Sequence, residues 1–123
     1  MTVVQEKSST GLDANLAGLL TYAAGFITGV VFLVLEKDSK FVRFHAMQSV
    51  MTFIGLFILN IAFTIVGFIP FFGWIISLFG LFLIPLGFIL WIVLMLKAYQ
   101  GEWFKLPIVG DMAMKQVGGD VIV

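Results

Sequence analysis

The longest uniform feature of the sequence is a stretch of 53 residues, 44–96, that contains no Asp, Glu, Lys or Arg. A second uncharged stretch, residues 14–35, is 22 residues long. Of the 123 residues, 61% are hydrophobic and 11% are charged, against roughly 25% charged in an ordinary soluble domain. A water-soluble chain of this length has too little interior to hide so much apolar surface. Both stretches are therefore predicted to lie in a membrane.

The lengths of the two stretches predict three crossings. An α-helix rises about 1.5 Å per residue and the hydrocarbon core is about 30 Å thick, so residues 14–35 suffice for one crossing. Residues 44–96 would extend roughly 80 Å as one helix, which predicts a helical hairpin instead. Its natural break is Gly67–Gly73, where Pro70 disfavours helix at the preceding residue and the glycines permit a tight reversal.

The predicted fold class is all-α: an integral membrane three-helix bundle, made of one helix plus a helical hairpin, with a short interfacial C-terminal segment. Residues 1–13 are predicted to be a mobile tail. Residues 14–97 form the predicted transmembrane domain, and residues 98–123 the predicted cytoplasmic interfacial tail. The predicted spans are residues 14–35, 46–68 and 73–96.

The positive charges predict an orientation. Three crossings would place the N-terminus and the Pro70 turn on one side with Lys7 alone, and loop 36–43 and the C-terminal tail on the other side with six cations. Cytoplasmic segments of membrane proteins carry an excess of Lys and Arg. The sequence therefore predicts a multi-pass protein of the cell membrane, with the N-terminus outside and with loop 36–43 and the tail in the cytoplasm.

Each predicted span carries a stripe of small or polar residues. Helices in lipid associate through close packing of small residues and a few polar contacts, because lipid tails are as apolar as leucine. Packing is the simpler explanation of the stripes, and a path or pocket is the functional alternative. The predicted helix-packing residues are Gly18, Gly25, Gly29, Gly73, Ser77, Gly80 and Gly87, and the predicted polar cluster is Arg43, His45, Gln48, Ser49 and Asn60.

His45 carries the sharpest local chemistry. His45 and Ser49 are four residues apart, so they can meet on one helix face, and a His beside a Ser can activate a nucleophile. A triad also needs an orienting carboxylate, for which Glu36 and Asp38 are the local candidates. The simpler interpretation is that Arg43 and His45 anchor the helix at headgroup level; a pH-responsive His45 is a further alternative. One His and no Cys leave too few ligands for zinc, so no metal site is predicted.

The tail is the second informative segment. Gly101 is predicted to end the third helix, Pro107 to set an extended segment, and Asp111 to cap a short helix. Its acidic residues are predicted to pair with the cations of loop 36–43. The predicted cytoplasmic surface motif comprises Lys97, Tyr99, Gly101, Glu102, Pro107, Gly110 and Asp111.

Several segments together resemble a known family. They are Tyr22–Gly29, Leu35–Lys37, Phe41–Ser49, Lys97–Glu102 and Leu106–Asp111. They are similar to a family of small prokaryotic membrane proteins catalogued as a domain of unknown function, which is distantly similar to the Tic-twenty component of the chloroplast inner-envelope import machinery. The resemblance implies a multi-pass helical membrane protein with no established reaction, and it implies a link to protein import only by analogy.

The predicted function is that of a non-enzymatic membrane protein acting through helix-mediated assembly, with itself or with a membrane complex that moves polypeptides or solutes. The first alternative is a channel or transporter subunit in which the polar face from His45 to Thr64 lines a path. The second is an intramembrane hydrolase that uses His45 and Ser49. The predicted partners are the lipid bilayer and a second copy or another membrane protein. No cofactor is predicted, and seven cations balanced by seven anions predict no nucleic acid.

Overall fold

The computed structural model describes residues 7–116, and over this range the chain is all-helical, as predicted. An isolated bridge between Lys7 and Asp13 is the one pairing of extended backbone in the described residues. The predicted mobility of residues 1–6 lies outside that range, as do residues 117–123 of the predicted cytoplasmic tail. The helices are α1 (Ala14–Ala23), α2 (Phe26–Leu35), α3 (Lys40–Val66), α4 (Gly73–Tyr99) and α5 (Val109–Gln116).

Helices α3 and α4 form the long hairpin. Each has 27 residues, about 40 Å at 1.5 Å per residue, and each is long and apolar enough to cross a membrane. The chain reverses between them around Pro70, where the sequence predicts the break. Helix α3 begins six residues earlier than predicted, because the Ser39 hydroxyl accepts a hydrogen bond from Val42 N and caps the first turn.

The prediction of one continuous helix over residues 14–35 is wrong. Helix α1 ends at Ala23 and α2 begins at Phe26, so each has only ten residues, about 15 Å. Between them Gly25 has a φ of 61°, in the left-handed region that side chains other than glycine rarely adopt. Gly25 N donates to Tyr22 O at 3.0 Å and closes the turn. The chain therefore turns sharply where a spanning helix would continue.

The two ends of this segment lie side by side. Ser9 N donates to Glu36 Oε2 at 2.6 Å, and Lys37 N donates to Ser9 Oγ at 2.8 Å. A single crossing would separate these groups by about 30 Å. The prediction that the N-terminus lies across the membrane from loop 36–43 is therefore wrong, and residues 8 and 9 are held in place rather than mobile. Helices α1 and α2 form a short hairpin, because Gly25 reverses the chain halfway.

The short hairpin packs against only one half of the long one. The buried apolar side chains include Phe41, Val42 and Phe44 of α3 and Leu94 and Ala98 of α4, all near the chain ends of these helices. In contrast, no residue of 53–66 is buried, and of residues 73–90 only two glycines are. We call residues 53–66 and 73–90 the bare half. The packed half comprises α1, α2, α5, residues 40–52 and 91–99, and the connecting segments 7–13, 36–39 and 100–108.

Candidate functional site

A buried polar cluster joins three parts of the packed half at His45. Its Nε2 lies 2.8 Å from Glu102 O, and its Nδ1 lies 2.7 Å from the Tyr22 hydroxyl. A carbonyl only accepts hydrogen bonds, so the geometry assigns the proton to Nε2 and makes Nδ1 the acceptor of the Tyr22 O–H. Both nitrogens of the fully buried imidazole are thus satisfied. The ring links α1 to the tail that follows α4.

Gln48 completes this cluster one turn further along α3. Its Nε2 donates to the Tyr22 hydroxyl at 2.9 Å and to Phe104 O at 2.8 Å. Its Oε1 accepts from Leu106 N at 2.9 Å. One fully buried amide therefore uses both of its donor hydrogens and its acceptor. Together His45 and Gln48 hold residues 102–106 against α3.

The other members of the predicted polar cluster lie elsewhere. Arg43 Nη1 donates to Leu33 O and Glu36 O, at 3.3 and 2.8 Å, and so caps the C-terminus of α2. Ser49 Oγ donates to Gly25 O at 2.9 Å, at the turn of the short hairpin. Asn60 lies in the bare half, where its Nδ2 donates to Gly80 O at 3.3 Å. The structure therefore brings together His45 and Gln48 but separates Asn60 from them.

Glu36 closes the short hairpin from its open end. Its fully buried carboxylate accepts hydrogen bonds from Ser8 Oγ, Ser9 N and Ser39 N. Burial by itself raises the pKa of this carboxyl, but the hydrogen bonds to the charged form outweigh burial and hold the pKa below its ordinary value. The carboxylate therefore ties the segment before α1 to the start of α3.

The acidic tail residues Glu102 and Asp111 pair with lysines that are close in sequence. Lys97 Nζ lies 3.0 Å from Glu102 Oε2, and Lys105 Nζ lies 3.4 Å from Asp111 Oδ1. The predicted pairing of Glu102 and Asp111 with the cations of loop 36–43 is therefore wrong. The physical reason is that His45 and Gln48 fix residues 102–106 against α3, which leaves the acidic side chains beside neighbouring lysines.

The remaining tail residues take varied positions. Tyr99 O accepts from Asn15 Nδ2 at 2.9 Å, and Gly101 has a φ of 81° just after α4 ends. Pro107 lines a groove beside α3 and α4. Gly110 lies against Lys105, so a side chain at this position would collide with the backbone of that residue. Asp111 lies in the first turn of α5, which begins two residues before it.

The predicted packing glycines divide by role. A Cβ at Gly18 would lie 2.9 Å from the Phe41 ring, and one at Gly29 would lie 2.9 Å from Ser49 Oγ, so both permit close helix contact. Gly25 instead makes the turn of the short hairpin. The others line the interface or the turn of the long hairpin, where Gly73 meets Gly67, Gly80 meets Phe63, Gly87 meets Leu56, and Ser77 approaches Gly67.

Sequence reasoning missed three polar partners. Tyr22 is fully buried in α1, Glu36 is fully buried at the loop, and Trp91 Nε1 donates to Tyr22 O at 2.6 Å. The available signal was that a tyrosine or glutamate inside or beside an apolar segment needs a partner. It does not say which partner, since that depends on the Gly25 turn.

The hydrolase hypothesis finds no support in this geometry. His45 is bonded to Tyr22 and Glu102, and Ser49 is bonded to Gly25, so the two side chains serve different contacts. Within residues 7–116, no group of three or more His, Cys, Asp or Glu side chains is placed to hold a metal ion. What the cluster does chemically is saturate buried hydrogen-bonding groups.

Comparison with known proteins identifies relatives over most of the chain. The model of the magnetosome magnetite crystal formation protein family matches residues 7–113. A UPF0132 membrane protein of Methanocaldococcus jannaschii is 55% identical over 107 residues, which cover 87% of this chain and 91% of that protein. One from Archaeoglobus fulgidus is 52% identical over 112 residues, which cover 88% of this chain and 99% of that protein.

A second Methanocaldococcus jannaschii UPF0132 membrane protein is 48% identical over 104 residues, 84% of this chain and 69% of that protein. No solved structure matches the chain. These relatives confirm the predicted similarity to a prokaryotic membrane protein family of unknown function. The distant similarity to the Tic-twenty component stays a prediction.

Proposed function

Because the chain belongs to the magnetosome magnetite crystal formation protein family and has UPF0132 membrane proteins as relatives, we propose that it is a non-enzymatic, multi-pass membrane protein that assembles with itself. The bare half of the long hairpin provides the assembly surface. The packed half supports one end of the hairpin and keeps residues 8–9, loop 36–39 and tail residues 102–106 on one side of the membrane. The proposal includes no metal chemistry.

The exposed apolar surface of the bare half carries this proposal. Phe57, Ile65, Leu81, Phe82 and Ile84 are each between 60% and 69% exposed. In water an exposed apolar surface of this kind is unfavourable. In lipid it is at no disadvantage, and it remains free to pack against other helices.

The charges support a cytoplasmic packed half. Lys7, Lys37 and Lys105 lie in segments that the short hairpin and the tail bring to the same side. The turn between α3 and α4 is uncharged, and its Phe68 and Phe71 are 83% and 88% exposed. By the excess of Lys and Arg in cytoplasmic segments, the packed half faces the cytoplasm and the apolar turn lies at or within the far interface of the cell membrane.

A cleft in the bare half that is lined by three polar side chains supports self-assembly. It measures about 340 Å³ and lies between α3 and α4. The only hydrogen bond of the Asn60 side chain within the described residues is the long one to Gly80 O, although an amide can make four. Polar groups in lipid gain by facing protein, so a second copy is the natural cover. The cleft is lined by Asn60, Thr64, Ser77, Gly80, Leu81 and Ile84.

The test uses the absence of cysteine from the chain. Leu81→Cys places one thiol on the rim of the cleft, and Leu86→Cys places a matched thiol on an exposed position outside the cleft. Oxidation in native membranes should give a covalent dimer with Leu81→Cys and little with Leu86→Cys. A chain that is monomeric by native mass spectrometry in nanodiscs, or equal cross-linking of the two variants, would count against the proposal.

The channel and translocation alternatives stay predictions. His45, Gln48 and Ser49, which those alternatives would place along a path, are buried and hydrogen-bonded inside the packed half. Of that polar face, Asn60 and Thr64 border the cleft described above, and Thr52 borders a separate groove.

A further inference from the structure

A separate groove lies where the packed and bare halves meet. It measures about 320 Å³, within the size range of small-molecule sites, which begins at about 300 Å³. Its walls come from α3, from Leu90 of α4 and from the tail just after Lys105. Apart from Thr52, its lining carries no polar side chain. The lining residues are Met51, Thr52, Gly55, Leu56, Leu59, Leu90, Leu106, Pro107 and Val109.

Thr52 gives this groove a chemical preference. Its side chain is only 6% exposed, and its Oγ1 has no hydrogen-bond partner among the described residues. A buried hydroxyl without a partner is costly, so native structures rarely leave one. The occupant that best fits the groove therefore carries an oxygen at the position that Thr52 faces and is otherwise apolar.

The change from polar to apolar along the groove narrows the choice of occupant. Thr52 lies at the end next to the packed half, and Leu59 lies about 10 Å further along α3, in the bare half. Gly55, between them, has no atom within 4 Å of where a Cβ would be, so the floor is open. The polar atom thus sits at the charged, membrane-surface end and the apolar wall runs toward the membrane interior. A lipid chain has this same polarity along its length.

We propose that this groove binds one chain of a membrane glycerolipid, with the oxygen that links the chain to glycerol accepting a hydrogen bond from Thr52 Oγ1. The chain then runs along Leu56 and Leu59 under the tail segment 106–109. The Lys105–Asp111 ion pair belongs to the same tail segment whose residues 106, 107 and 109 line the groove. The bound lipid covers the joint between the tail and the long hairpin.

The experiment uses a phosphatidylglycerol with a photoactivatable diazirine midway along one acyl chain, diluted into dioleoylphosphatidylcholine vesicles that contain the full chain. After illumination, adducts are mapped by peptide mass spectrometry. The expected result is enrichment of adducts at Leu56, Leu59 and Leu90 over Phe79 and Phe82, which are exposed on α4 but outside the groove.

Two variants test the mechanism. Thr52→Val keeps the shape of the side chain and removes the hydroxyl, so it should lower that enrichment about fivefold, the ratio that one neutral hydrogen bond is worth. Gly55→Leu should abolish the enrichment because its side chain fills the floor. Thr64→Val is the matched control, since its hydroxyl is already bonded to Asn60 O at 2.9 Å, and it should leave the enrichment unchanged. Thr52→Val breaks no hydrogen bond of the chain, so a loss of adducts cannot be assigned to unfolding.

Three results would overturn the proposal. The first is equal labelling of groove and non-groove positions in the wild-type chain. The second is enrichment that neither Thr52→Val nor Gly55→Leu lowers. The third is a disulfide-linked dimer from Leu56→Cys or Leu59→Cys in oxidised native membranes, which would make a second copy the occupant instead. These results are independent of cross-linking at Leu81, so failure here leaves the assembly proposal standing.

Discussion

Helix α3 runs through both halves of the molecule, and the two halves are stabilised in different ways. From Phe41 to Thr52 its polar side chains point inward and nearly all find partners in the short hairpin or the tail. From Phe53 to Val66 no side chain is buried. The difference teaches that the packed half is held by satisfied hydrogen bonds and close contacts of its own, whereas the bare half depends on the solvent around it.

The substitution Gln48→Leu should give the largest effect that tests this contrast between the two halves. The substitution removes the side-chain partner of Phe104 O and of Leu106 N, and one of the two partners of the Tyr22 hydroxyl, which still donates to His45 Nδ1. Each abandoned buried group costs about 1–3 kcal/mol, so we expect a loss of about 3 kcal/mol or more. Unfolding of the detergent-solubilised protein measures it, and exposure of the tail to protease should rise with it. A loss below that of Asn60→Leu would contradict the contrast.

A comparison of alanine substitutions at Gly29 and Gly55 should give the next largest effect on stability. At Gly29 a methyl group would meet Ser49 Oγ at 2.9 Å and Ala46 O at 3.1 Å, so Gly29→Ala should destabilise the chain by about 2 kcal/mol. At Gly55 nothing lies within 4 Å, so Gly55→Ala should be neutral or stabilise α3 by up to about 1 kcal/mol. Thermal denaturation of both variants in the same detergent compares them. Equal effects would mean that α2 does not pack closely on α3.

Glu36→Gln tests the hydrogen bonds that the Glu36 carboxylate accepts at the open end of the short hairpin. Replacing the buried carboxylate should cost about 1.5 kcal/mol at neutral pH, the lower end for hydrogen bonds to a charged group. Because the folded chain lowers the pKa of Glu36 below its ordinary value of 4.5, the contribution is full above that value. It is lost as pH falls through the lower folded-state pKa.

The stabilities of wild type and Glu36→Gln should therefore converge at acidic pH, below 4.5. Unfolding curves across that range measure the difference. A gap that stays constant down to the lowest accessible pH would show that the ionised carboxylate is not what holds residues 8 and 9.

The smallest effect should come from the bare half. Asn60→Leu removes one hydrogen bond, of 3.3 Å, between α3 and α4. Interhelical hydrogen bonds in membranes average about 0.6 kcal/mol, so the monomer should barely change in stability. Its dimer yield with Leu81→Cys should fall instead. A large loss of monomer stability would contradict the contrast, because it would show that contacts within the bare half also stabilise the monomer.

Much of this fold follows from the sequence, and the wrong prediction for residues 14–35 has one cause. The uncharged stretch 44–96 with Pro70 predicts the long hairpin, and Gly101 predicts the end of α4. The length of the apolar segment predicts one helix over residues 14–35, because length alone does not reveal a turn within the segment. The spacing of the small residues predicts a packing role for Gly25, because the φ of a glycine cannot be deduced from its spacing.

The candidate site shares that limit. His45 and Gln48 stand out as polar residues in an apolar helix, and the structure places both in one cluster. Their partners, Tyr22 and the backbone of residues 102–106, come from distant segments that meet only once the short hairpin and the tail fold back. The local sequence pattern identifies polar residues that need a hydrogen-bond partner. Which partner each residue finds depends on how the short hairpin and the tail fold back against α3.

The most direct test of the account is the sidedness of residues 7 and 37. Lys7→Cys and Lys37→Cys, each in the cysteine-free chain, are exposed positions that a membrane-impermeant maleimide can reach. The account predicts that both are labelled in inverted membrane vesicles and neither is labelled in intact cells, because the short hairpin returns residue 37 to the side of residue 7. Labelling of Lys7→Cys from outside the cell and of Lys37→Cys from the cytoplasm would contradict it.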